Sequence, residues 1–89
     1  KPETAGVLAR LAELLAALPD LAEKTQEAAF KTVMEENGLG FGKIAQPVRL
    51  ALTGTTVSPG IFEVIEVLGI DQVKARLKMA VAFIEEKVD

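Results

Sequence analysis

The stretch QPVRLALTGTTVSPGIF, running from Gln46 to Phe62, decides how the rest of the chain reads. It closes one helical pattern, crosses a turn of Gly, Thr, Ser and Pro, and opens the next helix. Upstream of the turn, Ile44, Val48 and Leu52 fall at i, i+4 and i+8, with Ala45 and Ala51 beside them. That spacing predicts a third helix over about Lys43 to Leu52. Pro47 leaves its start open: a proline is harmless in a first turn but costs about 3 kcal/mol deeper in a helix. The helix therefore begins either near Gln46 or near Lys43 as a loose turn. Its other side carries Gln46, Arg49 and Thr53 as one polar stripe, and Gly54 ends it. Downstream, Ser58-Pro59 reads as a helix start, with Ser at the N-cap and Pro at the first helical position. Ile61, Phe62, Val64, Ile65, Val67 and Leu68 follow, interrupted only by Glu63 and Glu66. So apolar a helix is expected to be buried on most sides and central to the fold.

The remaining segments are helical too. Val7, Leu8, Leu11, Leu14, Leu15 and Leu18 trace an amphipathic first helix, from Lys1 to Leu18, which Pro19 stops. A second helix is expected from Asp20, as its cap, to Asn37, with Gly38 past its end. Leu39 to Gly42 reads as a flexible connector. Gly69 ends the fourth helix, and Asp71 is expected to cap a fifth. Val73, Leu77, Ala80, Val81 and Ile84 form the fifth helix's core face, which Met79 and Phe83 are expected to widen. The expected fold is all-α: a single compact domain of about five helices over residues 1–89, with a buried central fourth helix.

The composition restricts function. With 89 residues the chain makes one domain or one piece of a longer protein, burying about 60–65% of its unfolded surface. There is no Cys for disulfides or thiol chemistry, and no His to serve as general base or metal ligand. The adjacent pairs Glu35/Glu36 and Glu85/Glu86 point about 100° apart on a helix and read as solvated faces, not converging acids. No catalytic set and no metal site is expected. A net charge of −3 argues against broad binding to phosphate backbones, DNA included. No run is long and apolar enough to span a membrane, and no signal peptide is visible. A start at Lys1 without Met suggests a processed or excised piece.

Charge is nevertheless uneven. From Asn37 to Phe62 there is no Asp or Glu, and the only charges are Lys43 and Arg49. Arg49 thus has no acid close in sequence. Flanked by Gln46 and Thr53, its guanidinium belongs to a donor set suited to phosphates or base edges. Ser58-Pro59-Gly60 is an ordinary helix start that can also offer free N–H groups, and Gly60 allows close approach. Ile61 reads either as core or as an apolar platform for an unstacked base. The scarcity of aromatic residues, four Phe with no Trp or Tyr, argues against generic single-strand binding.

The segment from Gly42 to Arg76, GKIAQPVRLALTGTTVSPGIFEVIEVLGIDQVKAR, resembles the C-terminal anticodon-binding region of bacterial-type glutamyl-tRNA synthetases. The likeness rests on three blocks at matching separations: QPVRLALTG, SPGIFEVIEVLG and VKARL. It implies that this chain is the distal helical domain of a class I aminoacyl-tRNA synthetase, a glutamate–tRNA ligase. In that family ATP and Mg²⁺ act in an N-terminal domain, so this piece alone is expected to be non-catalytic and without cofactor. The resemblance implies anticodon contacts from Arg49, Ser58, Pro59 and Ile61, with Gln46, Lys43 and Gly60 in support. The implied partner is the anticodon loop of tRNA-Glu, with a monomeric, cytoplasmic parent enzyme and no membrane or DNA partner. The competing reading is a small helical protein-interaction module that docks a partner through its fourth and fifth helices.

Overall fold

Apolar residues at helical spacing need a common surface to bury, and five such stripes close on one another here. The computed structural model describes residues 2–55 and 60–88. The helices are α1 (Pro2–Ala16), α2 (Glu23–Asn37), α3 (Phe41–Thr53), α4 (Ile61–Leu68) and α5 (Ile70–Val88). Leu8, Leu11 and Leu15 of α1 and Val73 and Leu77 of α5 are buried against each other's helices and the remaining three. Thr4 and Leu8 share a groove with Ala80 and Ile84, while Ala12 and Ala16 share another with Lys74 and Leu77. α1 and α5 therefore run antiparallel, and this pair is the spine of the fold.

The all-α architecture matches expectation, but the fourth helix is not its buried centre. α4 buries one line, Ile61 and Ile65, while Phe62, Val64 and Leu68 are half-buried and Val67 is 79% exposed. Apolar composition exceeded what an eight-residue helix on the flank can cover. In α5, Met79 and Phe83 do not widen the core: they are 72% and 60% exposed. The inward stripe of α5 is already supplied by Val73, Leu77, Ala80, Val81 and Ile84.

Boundaries shift for local reasons. α1 stops at Ala16, with Leu18 N–H donating to the Leu15 carbonyl in a tightened last turn before Pro19. Asp20 does not occupy the cap of α2. Ala22 does, and Asp20 Oδ1 accepts the Ala22 N–H at 2.9 Å from outside the helix. A hydrogen bond from the Thr25 side chain, then that from Ala22, hold the Asp20 carboxyl below its ordinary range. α3 begins at Phe41, earlier than either expected start, so the connector shrinks to Gly38–Gly40 and Pro47 lies well inside the helix. Having no N–H, Pro47 leaves the carbonyl of exposed Lys43 without its helical partner. Gly69 sits at φ 82° and ψ 158°. Its N–H closes α4 onto the Ile65 carbonyl at 3.0 Å, and its own carbonyl receives the Val73 N–H at 3.0 Å. It thereby takes the role expected of Asp71, which lies in the first turn of α5.

Two arginines tie helices together. Arg10 grips Glu36 with two nitrogens, Nε to Oε1 at 3.1 Å and Nη2 to Oε2 at 3.0 Å, joining α1 to the end of α2. Arg76 Nη1 donates to the Leu52 carbonyl at 2.5 Å, joining α5 to the last turn of α3. That bond satisfies a carbonyl at a helix end that lacks an intrahelical partner.

Candidate nucleic-acid interface

The polar stripe of α3 forms as its spacing requires, because Gln46, Arg49 and Thr53 recur near every fourth residue. Gln46 and Thr53 are exposed and Arg49 is half-buried. Arg49 makes no ion pair among the described residues, and its Nε is buried without a hydrogen-bond partner. An arginine nitrogen left so costs free energy, about 1–3 kcal/mol or more for a charged group. Being buried, that nitrogen is out of reach of an outside acceptor, so only the remaining N–H groups of the guanidinium could meet one. Thr53 does not share that role: its hydroxyl contacts the Arg49 carbonyl at 2.7 Å and the Thr55 carbonyl at 2.9 Å, closing the end of α3. The available donors of the stripe are Gln46 and Arg49, with exposed Lys43 one turn earlier.

Of the residues expected around the turn, Ser58 and Pro59 lie outside the described residues. Gly60 is exposed and stands at the N-cap of α4, its carbonyl receiving the Val64 N–H at 3.1 Å. Ile61 is corrected: only 2% exposed, it is a member of the core and offers no platform to a base. It begins the buried line that Ile65 continues one turn later, so the helix cannot seat without it.

An aromatic rim lies beside Ile61. Phe30, Phe41 and Phe62 meet, with ring centroids 5.2 to 5.7 Å apart and Phe30 edge-on to Phe62 at 84°. Phe30 is buried beneath, while Phe41 is 39% exposed and Phe62 half-buried. With Glu27, Lys31 and Met34 they line a groove of about 530 Å³. Sequence reasoning missed this site. Three of the four Phe residues converge from α2, α3 and α4, and no spacing along the chain signals it. The rim is two residues past Gly60 through Phe62, and about 12 Å along the α3 axis from Arg49 through Phe41.

The acid-free interval is not acid-free in space. Glu27 lines the aromatic groove beside Lys31, and Glu63 lines a smaller cleft with Thr53. Glu63 also sits in the first turn of α4, where a carboxylate already complements the helix N-terminus. The surface therefore suits neutral base edges and faces with a few guided cationic contacts, not a run of phosphates. Among the described residues no three His, Cys, Asp or Glu side chains are grouped to hold a metal ion, and no helix is long and apolar enough to cross a membrane.

Comparison with known proteins gives this geometry its context. The profile of the family described as "Anticodon binding domain" matches residues 1–81. The chain is 58% identical over 85 residues to a glutamate–tRNA ligase of Desulfosudis oleivorans, covering 96% of this chain and 18% of that protein. It is 51% identical over 78 residues to a glutamate–tRNA ligase of Syntrophobacter fumaroxidans, covering 88% and 17%. Its fold superposes on the crystal structure of a glutamate tRNA ligase from Elizabethkingia meningosepticum in complex with its amino acid. There the TM-score is 0.85 at 29% identity, over 92% of this chain and 16% of that one. The chain thus spans less than a fifth of the length of these relatives.

Proposed function

Since this chain belongs to the anticodon binding domain family, we propose that it reads the anticodon loop of tRNA-Glu as the C-terminal domain of a glutamate–tRNA ligase. Residues 1–89 are then one domain of a longer, cytoplasmic, monomeric enzyme that attaches glutamate to tRNA. The ATP and Mg²⁺ of that reaction belong to the rest of the polypeptide. The described residues fit neither group, having no cluster of metal ligands and no strand from which a phosphate-binding loop could lead.

The observation that carries the reading is Arg49. On the α3 stripe stands a guanidinium that no described carboxylate neutralises and whose Nε is unpartnered. Its remaining N–H groups would donate to a base or backbone oxygen of a splayed loop nucleotide, as single-stranded RNA loops present their edges. Gln46 supports it and Lys43 adds charge. A neighbouring base would stack on the exposed part of the Phe41 ring beside Phe62, a contact worth about 1–3 kcal/mol per base. Ser58, Pro59 and the backbone at Gly60 would meet the edge of a further base. Support for this assignment comes from the three sequence blocks and the family match.

The test is a titration of the isotopically labelled chain with tRNA-Glu and with a scrambled stem-loop, at two salt concentrations. Amide shifts confined to the surroundings of Arg49, Phe41 and Gly60, and produced only by tRNA-Glu, are expected. Equal response to both RNAs would remove the anticodon assignment. The second reading, a protein-interaction module, is favoured by one feature: Leu50, Met79 and Phe83 are exposed around a groove of about 640 Å³ between α1, α3 and α5. Absence of any RNA response, together with concentration-dependent association, would select it.

A further inference from the structure

Among the described residues, Gln26 is the one polar residue in the core. Fully buried in α2, it gives both amide protons away: Nε2 donates to the Leu21 carbonyl at 2.6 Å and to the Phe62 carbonyl at 3.0 Å. Two acceptors around one nitrogen fix which end of the amide is which. Its Oε1 is buried with no partner. A buried amide left half-satisfied is a poor source of stability, because the orphaned oxygen offsets what the two bonds contribute. An apolar side chain of the same volume would remove the orphaned oxygen but also take a donor from the Leu21 and Phe62 carbonyls, so the net change in stability is small. What the amide supplies that such a side chain cannot is a direction. It fixes the first turn of α4 to the segment leading into α2, where those two helices otherwise touch little.

That first turn is where the interface is built. Phe62, whose carbonyl Gln26 holds, is also the ring that meets Phe30 at 5.2 Å and Phe41 at 5.7 Å. It lies two residues after Gly60. A slide or rotation of α4 about its buried line would leave Ile61 and Ile65 covered yet move the Phe62 ring off the rim. Apolar contacts, being non-directional, resist such a movement weakly. We infer that Gln26 is a positioning residue for RNA recognition: it acts through Phe62 to hold the aromatic rim and the Gly60 end of α4 where a loop base is received. This inference rests on the anticodon-reading function proposed above and adds a residue that never touches the RNA.

The experiment compares the parent chain with Gln26→Leu and Gln26→Met, which keep the volume and remove both donors. Three quantities are read: the thermal midpoint, the amide shifts of residues 60–64, and the affinity for the tRNA-Glu anticodon stem-loop well below the midpoint. The expected result is midpoints within about 8 °C of the parent, shifted amides in the first turn of α4, and affinity weaker by about 3- to 30-fold. Affinity equal to the parent's in either folded variant overturns the inference. So does a loss of affinity that merely tracks the fraction of unfolded chain. If the parent chain itself takes up no stem-loop, the proposed function fails first and the inference falls with it, an outcome distinct from the other two.

Discussion

In the proposed function Arg49 and Phe41 would divide the work of recognition differently, and substitutions separate them. Arg49→Ala removes a forked donor from the α3 stripe and is expected to weaken binding of tRNA-Glu by about 1–3 kcal/mol. Arg49→Lys keeps the charge but not the planar fork and recovers only part of that loss. Calorimetric or NMR titration of the two variants checks this, and identical affinities for parent and Arg49→Ala would take the residue out of the interface. Phe41→Leu is the matching test of the rim. Leucine preserves most of the apolar contact with Phe30 while abolishing the ring face, so the midpoint should move little and affinity should fall by about 1–3 kcal/mol. The place of Arg49 on a polar stripe of α3 was legible from sequence because charge and helical spacing are local properties. Phe41 was not, since its partners are Phe30 and Phe62, and only the folded chain brings them within 6 Å or so of one another. The sequence leaves Ile61 between core and platform for the same reason: an apolar residue at a helix start looks alike whether it points inward or outward.

At the scale of the helices, the two places where backbone chemistry is most constrained give opposite expectations. Pro47 sits inside α3, where it removes one helical hydrogen bond and crowds the Lys43 carbonyl. Pro47→Ala is therefore expected to raise the thermal midpoint. The gain stays below the full proline penalty of about 3 kcal/mol, because proline also restricts the unfolded chain. Gly69 holds φ 82° and ψ 158°, a region essentially closed to other residues, while joining α4 to α5. Apart from its chain neighbours, nothing lies within 4 Å of where a Cβ would stand, so Gly69→Ala suffers from backbone strain alone. It should cost about 1–3 kcal/mol. Thermal unfolding followed by circular dichroism reads both; a midpoint unchanged by Gly69→Ala would mean that the junction relaxes. The helices themselves could be read from the i, i+4 pattern, and Gly38, Gly54 and Gly69 marked their ends. Their starts could not. Asp20 and Asp71 are good cap residues by type, yet Ala22 and Gly69 occupy those positions, and α4 starts from Gly60. Competing local turns, such as the one Asp20 makes to Ala22, decide which residue starts the helix.

For the molecule as a whole, the acid side of the stability profile follows from two carboxylates. The Arg10 hydrogen bond holds the Glu36 carboxyl below its ordinary range, and Thr25 and Ala22 do the same for Asp20. A carboxyl whose folded value is depressed binds fewer protons folded than unfolded. Its contribution is therefore complete above the unfolded value and is lost as pH falls through the folded one. With no His and no Cys in the chain, no side chain titrates at its ordinary value between about pH 5 and 8, so stability should be level there. It should then decline through and below the ordinary carboxylate range. Both groups are at the surface, so the decline from these two is shallow and is reduced further by salt, which screens exposed charges. Glu36→Gln separates the contributions. It removes the α1–α2 ion pair at neutral pH and with it the share of the acid decline that Glu36 causes, leaving that of Asp20. Urea unfolding of parent and variant across the acid limb measures the difference. The two curves should converge as pH falls, since protonated Glu36 and glutamine are alike uncharged. Parallel curves at all pH values would mean that the Arg10 pair contributes nothing to holding the two helices together, leaving that junction to apolar contacts alone.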